Sequence, residues 1–462
     1  MKNLTLVNIA KACGGALFGR QDDLREAACV VIDSRKMKAG GVFIAAKGDR
    51  VDGHDYIPQV KDMGALGVVC EKAPEGCDIP YILVRDSYQA LKDIAEYYRK
   101  CLSIPVIGIT GSVGKTSTKE MIAAVLSQGF HTLKTDKNFN NEIGLPLTVL
   151  QIMPEHEAAV LEMGISDFGE MHRLSKVARP DVCVLTNIGQ CHLENLGSRE
   201  GILRAKSEIF DFMNSEGQIF VNGDDDMLIR VHGKEGHSPV RFGLGTNNQV
   251  YASDIENKGL LGSKAVIHMG GESFSAEVPL PGIHMVVNAL AAAAVGKHLG
   301  LTTEQIRKGI ARVKAVEGRS RVISTPSYTM IDDCYNANPV SMKAAIDLLA
   351  MAVGRKVAVL GDMFELGDRE KELHGEVGAY AVEKDIDVLL CTGELCHSMY
   401  EQACAMKKAE TGEMNSIEIY YFTDRETLLQ ELGRVLKAGD NILVKASHGM
   451  QFEKVVSYLE QS

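Results

Sequence analysis

The stretch VIGITGSVGKTSTKEMI, Val106 to Ile122, decides the fold at the centre of this chain. An apolar run ends in a glycine-rich turn and a helix-forming segment follows, which predicts a strand, a loop and a helix. At such a loop the backbone N–H groups and the positive end of the helix dipole favour anions. The glycines at Gly108, Gly111 and Gly114 do not follow the usual G-x-x-x-x-G-K-[ST] spacing, because Ile109 stands where that pattern has glycine.

Phosphate binding is favoured over a purely structural glycine turn because strand, loop and helix occur together. Gly111 and Gly114 allow phosphate to approach the backbone, Lys115 supplies a positive charge, and the Thr116 hydroxyl can join a magnesium shell. We assign the nucleotide contacts of the loop to Thr110, Gly111, Ser112, Val113, Gly114, Lys115, Thr116 and Ser117. A GTPase is not expected, since NKGL (Asn257–Leu260) lacks the aspartate of the guanine-binding N-K-x-D motif.

Outward from the loop, apolar strands alternate with helices, which predicts a parallel sheet. From about Gln249 to Pro281 short alternating runs rich in glycine and serine predict a β-rich addition at the sheet edge. The first hundred residues indicate a small α/β unit, and a third unit of strands and helices begins near Glu317. We predict an α/β protein of three domains with boundaries at residues 1–103, 104–316 and 317–462.

The net charge and the cysteine content of the chain limit which binding partners and cellular compartments are expected. The chain has 462 residues, 45% of them apolar and 24% charged, with a net charge of −11, which disfavours nucleic acid and anionic membranes. Eleven scattered cysteines without C-x-x-C spacing indicate free thiols in a reducing compartment. The sequence MKNLTLVNIAKACGG has no secretory features, and NALAAAAVG (Asn288–Gly296) is too short to span a bilayer, so we expect a cytoplasmic protein without membrane insertion.

Several longer motifs resemble one family. The loop T-G-x-x-G-K-T, then NFNNEIGLPLTVL, LEMG, TNIGQCHLENLGS and AKSEIF, are together similar to the Mur ligases of peptidoglycan synthesis. The resemblance covers nearly the whole chain and implies a UDP-substrate domain, a central ATPase domain and a C-terminal Rossmann-like domain. DSRKMKAGGVFIAAKGDRVDGHDYI, DDCYNANPVSMKAAI and LGDMFELG most resemble the branch that joins D-alanyl-D-alanine to UDP-N-acetylmuramoyl-tripeptide.

This resemblance implies a reaction and its partners. The terminal carboxylate of the tripeptide would attack the γ-phosphate of ATP to give an acyl phosphate, and the amine of D-alanyl-D-alanine would displace phosphate. ATP, two Mg²⁺ ions and a monomeric enzyme are expected. Whether the third residue of the peptide is lysine or meso-diaminopimelate stays open.

The resemblance also assigns the catalytic and metal-binding residues. Lys115 joins Glu162, His192 and Lys206 in the catalytic set, and the metal ligands are Thr116, Glu162, His192 and Lys206. A histidine on a loop is more often a polar surface residue, and a helix lysine is more often an exposed charge. Because an ammonium would repel magnesium, Lys206 is assigned as carbamylated, as the matching lysine of the family is.

The resemblance implies further ligand contacts at the positions of this sequence that match the family's motifs. Asn140 and Asn141 lie where the family has an asparagine near MgATP, and Asn141 is assigned, although either could equally form an Asx turn. The remaining nucleotide contacts are Asn288 at the adenine, Arg319 and Asp333 between domains, and Tyr335, Asn336 and Asn338 at the ribose or adenine. The UDP contacts are Ser34, Arg35, Asp52, Gly53 and His54; for D-alanyl-D-alanine the candidates are Asp362, Glu365 and His374, which could equally be structural.

Two other functions compete. Another ligase of the superfamily, such as folylpolyglutamate synthetase, would lack the first hundred residues as a domain. A non-catalytic ATP-sensing partner of a cell-wall complex could lose Lys115, Glu162, His192 or Lys206 freely, yet all four are present.

Overall fold

Three sheets follow one another along the chain, and helices pack against them. The computed structural model describes residues 1–19, 22–76, 78–233, 238–409 and 417–461. The predicted α/β class with three units is confirmed, whereas the domain boundaries stay predictions.

The first sheet has the strand order β1-β5-β4-β3-β2, with β1 antiparallel to β5 and the others parallel. Its elements are β1 (Ala16–Phe18), β2 (Val30–Val31), β3 (Val42–Ile44), β4 (Gly67–Cys70), β5 (Tyr81–Leu83), α1 (Leu6–Cys13), α2 (Ile57–Asp62) and α3 (Ser87–Lys100). The apolar runs predicted β2 to β5, but β1 is half-exposed and too short to show a pattern.

Helix α3 joins the first unit to the second. Its N-cap Asp86 accepts from Gln89 N, and its apolar residues recur at helical spacing. At its C-terminal end the buried Arg99 guanidinium lies 2.7 Å from the Asp181 carboxylate, and Tyr98 donates to the Ile152 carbonyl. These contacts hold the first unit against the central sheet.

The central sheet has the strand order β14-β13-β12-β11-β10-β9-β6-β8-β7. Its strands are β6 (Val106–Thr110), β7 (Thr132–Lys134), β8 (Ala158–Glu162), β9 (Val182–Leu185), β10 (Gln218–Asn222), β11 (Val240–Gly243), β12 (Val250–Asn257), β13 (Ser263–Met269) and β14 (Glu272–Val278). Its helices are α4 (Lys115–Leu126), α5 (Gly144–Val149), α6 (Glu170–Ala178), α7 (Leu193–Leu196), α8 (Arg199–Ser207), α9 (Ile283–His298) and α10 (Thr303–Ala311). Strands β12 to β14 form antiparallel pairs at one edge, which confirms the predicted β-rich addition.

The third sheet has the order β15-β16-β20-β17-β18-β19, parallel apart from the β15–β16 pair. Its elements are β15 (Arg321–Ser324), β16 (Thr329–Asp332), β17 (Lys356–Gly361), β18 (Val388–Thr392), β19 (Glu418–Phe422), β20 (Asn441–Lys445), α11 (Pro339–Ala350), α12 (Glu370–Glu383), α13 (Cys396–Ala409), α14 (Arg425–Val435) and α15 (Glu453–Glu460).

The strand order of the central sheet positions the site. Strand β6 lies between β8 on one side and β9 on the other. After β6 the chain first forms β7 and β8 on one side and then crosses to form β9 on the other side. Such a switch point leaves a crevice at the carboxyl ends of parallel strands. Ile109 pairs with Glu162 of β8, and Thr110 with Leu185 of β9. The loop after β6, the carboxylate that ends β8 and the residues that follow β9 therefore meet at one edge.

Candidate active site

The glycine loop is held by the chain that follows β9. Ser112 N donates to Asn187 O (3.0 Å), Val113 N donates to Asn187 Oδ1 (2.9 Å), and Thr186 Oγ1 donates to Val113 O (2.8 Å). A Cβ on Gly111 would lie 1.9 Å from Thr186 Oγ1, so only glycine fits at this position. The loop is thereby fixed in shape before any nucleotide arrives.

The lysine of the loop points back over it. Lys115 Nζ donates to the carbonyls of Gly111 (2.8 Å) and Ser112 (3.4 Å). Burial lowers the pKa of Lys115, because leaving water penalises the charged form. The ammonium thus lies within the cradle, where it would face an incoming phosphate.

Glu162 at the end of β8 is the centre of the predicted metal site. It is 2% exposed, and its Oε1 accepts from Thr116 Oγ1 (3.2 Å) and Asn140 Nδ2 (2.8 Å). Its Oε2 has no hydrogen-bond partner among the described residues, and Lys119 Nζ is 3.8 Å away. A buried carboxylate with an oxygen left over fits a hard cation such as Mg²⁺.

The two neighbouring asparagines have different contacts. Asn141 Oδ1 accepts from Gly144 N (2.8 Å) and Ile143 N (3.2 Å), which is the Asx turn that the sequence left open. Asn140, to which the sequence assigns no contact, is the one that donates to Glu162. Both line the cleft, but only Asn140 touches the metal-binding candidate through its side chain.

Lys206 is buried, so the alternative of an exposed helix lysine is wrong. Its side chain is fully buried near the end of α8, and Nζ has no hydrogen-bond partner in the described part of the chain. Burial, and secondarily the charge of Lys115, lowers the pKa of Lys206 from 10.5 to about 8. An unpaired buried ammonium is unfavourable, so this environment favours the neutral amine.

The third unit forms the opposite wall of a cleft of about 750 Å³. Lys445 Nζ lies 2.5 Å from Asp333 Oδ2, and both residues are buried. The Arg319 guanidinium stacks 4.0 Å from the centroid of the Tyr335 ring, which in turn lies 5.4 Å from the ring of His448. Among the residues lining the cleft are Ser112–Ser117, Asn140, Asn141, Glu162, His192, Asn288, Arg319, Asp333, Tyr335, Asn336, Asn338, Lys445 and His448.

Two further assigned asparagines are held by the protein itself. Thr118 Oγ1 donates to Asn288 Oδ1 (2.9 Å), which fixes the side chain of Asn288 beside the loop. Asn338 Oδ1 accepts from Ser341 N (2.9 Å) and caps α11. Asn338 lines the cleft, but its role as a helix cap explains the residue even if it does not contact a ligand.

The residues assigned to UDP are not among those lining this cleft. Asp52 accepts from His54 N (3.0 Å) and lies 2.6 Å from His54 Nδ1, and a Cβ on Gly53 would lie 2.7 Å from Ala46 O. The Arg35 side chain is 84% exposed and paired with Asp33 at the surface, so it can reach a ligand. Ser34 is buried beside it in the turn that follows β2.

Two candidates for the acceptor site are anchors of the loop after β17. The Asp362 carboxylate accepts from Cys396 N (2.8 Å), and the fully buried His374 accepts from Met363 N at Nε2 (2.9 Å). Glu365, by contrast, lines the cleft. The structural alternative therefore describes Asp362 and His374 better.

Sequence reasoning missed Lys445, His448 and Lys119. Lys445 is a charged residue at the end of the apolar run NILVK, just as Glu162 is at the end of its strand. This position could have identified Lys445 from the sequence. For His448 and Lys119 the sequence offers no comparable signal, because their roles depend on neighbours far away in the chain.

Family comparisons agree with this geometry along the chain. Three family models match: "Mur ligase family, catalytic domain" at residues 26–99, "Mur ligase middle domain" at 109–296, and "Mur ligase, glutamate ligase domain" at 318–448. The UDP-N-acetylmuramoyl-tripeptide–D-alanyl-D-alanine ligase of Bacillus subtilis is 39% identical, over 99% of this chain and 98% of that protein. The chain belongs to the Mur ligase family.

Solved structures place this Mur ligase with the MurF type. MurF from Acinetobacter baumannii superposes with a TM-score of 0.89 at 32% identity, covering 99% of both chains. MurF from Thermotoga maritima in complex with ADP gives a TM-score of 0.80 at 30% identity, covering 94% of this chain and 97% of that one. In the described ranges of this Mur ligase, no helix is long and apolar enough to cross a membrane.

Proposed function

We propose that this protein joins D-alanyl-D-alanine to UDP-N-acetylmuramoyl-tripeptide, with ATP as the energy source, in the synthesis of peptidoglycan precursors. The observation that carries the proposal is the cleft between the second and third units. One wall holds the glycine loop with Glu162 and His192, and the other holds Arg319 and Lys445. Full-length relatives and solved structures of the MurF type support it.

The chemistry needs a cradle for the phosphates and cations near the reacting oxygens. In the first step the tripeptide carboxylate would attack the γ-phosphorus of ATP, and the bond to ADP breaks. In the second step the amine of D-alanyl-D-alanine attacks the acyl carbon, phosphate leaves, and the amine loses a proton. Lys115 and the N–H groups of the loop would hold the phosphates during both steps.

Magnesium fits the donors at the end of β8. Glu162 offers an oxygen that has no hydrogen-bond partner in the described part of the chain, and Thr116 offers a hydroxyl within hydrogen-bond distance of that carboxylate. His192 lines the same cleft. A bound Mg²⁺ would neutralise the crowded phosphate oxygens. We propose two such ions, held by Thr116, Glu162, His192 and the modified Lys206.

The proposed carbamate on Lys206 resolves an otherwise unfavourable buried group. The neutral amine attacks carbon dioxide, a C–N bond forms, and one proton leaves, so a neutral side chain becomes an anion with two oxygens. The pKa of about 8 gives a larger fraction of neutral amine near neutral pH than an exposed lysine has, and among the described residues Nζ has no hydrogen-bond partner to be displaced. The anionic oxygens are ligands of the kind that magnesium prefers.

The competing functions are less well supported. A ligase of the folylpolyglutamate type does not account for residues 26–99, which match the N-terminal Mur ligase model. A non-catalytic ATP sensor does not account for Lys206, a buried lysine near the nucleotide loop whose amine has no hydrogen-bond partner among the described residues. The monomeric state and the cytoplasmic location stay predictions from the sequence.

Release of phosphate from ATP tests the proposal. The assay combines ATP, D-alanyl-D-alanine and each UDP-tripeptide in turn, with lysine or meso-diaminopimelate as the third residue. We expect turnover with one tripeptide and little when either substrate is omitted. Equal ATP hydrolysis without D-alanyl-D-alanine would contradict the ligase function, and no turnover with either tripeptide would contradict the substrate assignment.

A further inference from the structure

A contact across the cleft links the second and third units at a predicted metal ligand. His192 Nδ1, in the central unit, lies 2.6 Å from Glu365 Oε2 in the third. Both residues have left-handed backbones, with φ of 53° for His192 and 62° for Glu365. Residues other than glycine seldom adopt this conformation, and strain of this kind concentrates at functional sites.

The chain directly before Glu365 is held by buried groups. Asp362 accepts from Cys396 N, and Met363 N donates to His374 Nε2. Phe364 N donates to Ser447 Oγ (2.9 Å). The carboxylate of Glu365 is therefore presented from an anchored loop, although its side chain is 57% exposed.

The loop around His192 meets the same segment of the third unit. A Cβ added to Gly367 would lie 3.9 Å from the Cα of Glu194, in the short helix α7 that begins directly after His192. The ion pair is thus part of a wider contact between two loops. An isolated surface pair would be worth little, but a pair within packed loops can fix an orientation.

We propose that Glu365 is a positioning residue for His192, which it reaches from the third unit. Glu365 Oε2 lies 2.6 Å from Nδ1, a contact without the alignment of a hydrogen bond, and its negative charge there favours the tautomer with the proton on Nδ1, which leaves Nε2 as the ligand atom. Histidines that bind metals usually donate their other ring N–H to such a carboxylate or carbonyl, and loss of that partner weakens metal binding about 10- to 100-fold. The inference rests on the metal assignment of the proposed function.

This assignment gives the closing of the cleft a chemical consequence. The orienting carboxylate and the metal ligand belong to different units, so the metal site is complete only when the two units meet. The unit proposed to carry the acceptor site would thereby control the site where phosphate transfer occurs.

The test uses three variants of the full-length chain. Glu365→Ala removes the carboxylate, Glu365→Gln keeps a side chain of the same shape without the charge, and Asp368→Asn is the matched control. Asp368 is exposed three residues further along and is not among the residues lining the cleft. The first readout is the ¹⁵N signal of the His192 ring in metal-free protein, assigned with His192→Asn. The second is the affinity for Mn²⁺ in the presence of ADP, measured by electron paramagnetic resonance.

In the wild type we expect the ring proton on Nδ1, and in Glu365→Ala a shift toward the other tautomer. The affinity for Mn²⁺ should fall about tenfold or more in Glu365→Ala and clearly less in Glu365→Gln, whereas Asp368→Asn should leave both readouts unchanged.

Unchanged ring signals and Mn²⁺ affinity in Glu365→Ala would overturn the inference, and so would a rise only in the KM for D-alanyl-D-alanine, which would make Glu365 a substrate contact. If the wild type fails to bind Mn²⁺ with ADP, the metal assignment of the proposed function fails instead. If the wild type binds Mn²⁺ and Glu365→Ala binds it equally well, the inference is refuted and the proposed function is not.

Discussion

Replacing Lys206 by methionine should make the protein more stable and almost inactive. Methionine has a similar length and no charge, so it fits the buried space without the desolvated ammonium. The pKa of Lys206 is lowered from 10.5 to about 8, mainly by burial. Each unit of pKa shift corresponds to about 1.4 kcal/mol, so this lowering of the pKa destabilises the folded state by about 3 kcal/mol at neutral pH.

The pH dependence of this gain has a definite sign. Below pH 8 the lysine is charged in both states, and the folded wild type carries the full penalty. Between pH 8 and 10.5 the folded state has lost a proton that the unfolded state keeps, so wild-type stability rises with pH. Above pH 10.5 the penalty is gone, and the difference between wild type and variant should vanish.

Denaturant unfolding in buffer free of carbon dioxide, at pH 7 and near pH 10, measures this difference. If unfolding shows more than one transition, the transition of the central unit is the one that an ATP analogue moves to higher denaturant, because a ligand stabilises the folded state that binds it. Added bicarbonate should raise the wild-type midpoint and leave the variant unchanged. Turnover of Lys206→Met should fall by about a hundredfold or more. A variant that is less stable than the wild type at pH 7, or a difference that does not depend on pH, would refute the reasoning.

Four other substitutions test the remaining site. Lys115→Ala should lower kcat about a hundredfold or more with UDP-tripeptide affinity nearly unchanged, as measured by steady-state kinetics and calorimetry; near-normal turnover would remove the loop from catalysis. Asn140→Ala should weaken Mn²⁺ binding with ADP, whereas Asn141→Ala should mainly lower the free energy of unfolding, by about 1 kcal/mol; the reverse pattern would contradict the contacts. Lys445→Met leaves Asp333 buried without its partner, so unfolding experiments should show a loss of about 3 kcal/mol or more, and a stable variant would contradict the buried pair.

Local pattern was sufficient where neighbours in the chain decide the structure. The periodicity of SYQALKDIAEYYRK predicted a helix, which the structure has at Ser87–Lys100. The apolar run before Gly111 predicted strand, loop and helix because only a few adjacent residues are involved. The family likewise followed from the sequence, since its motifs are long and contiguous.

Contacts between distant residues depended on the strand order, which no local pattern encodes. The sequence by itself determined that Lys206 lies on a helix, but only the tertiary structure buries its amine, which has no hydrogen-bond partner among the residues that the structure describes. It determined that two asparagines precede IGLP, but the fold decides that Asn140 reaches Glu162 while Asn141 closes a turn. The contact between His192 and Glu365 joins positions 173 residues apart, and it exists because the second and third units meet at one cleft.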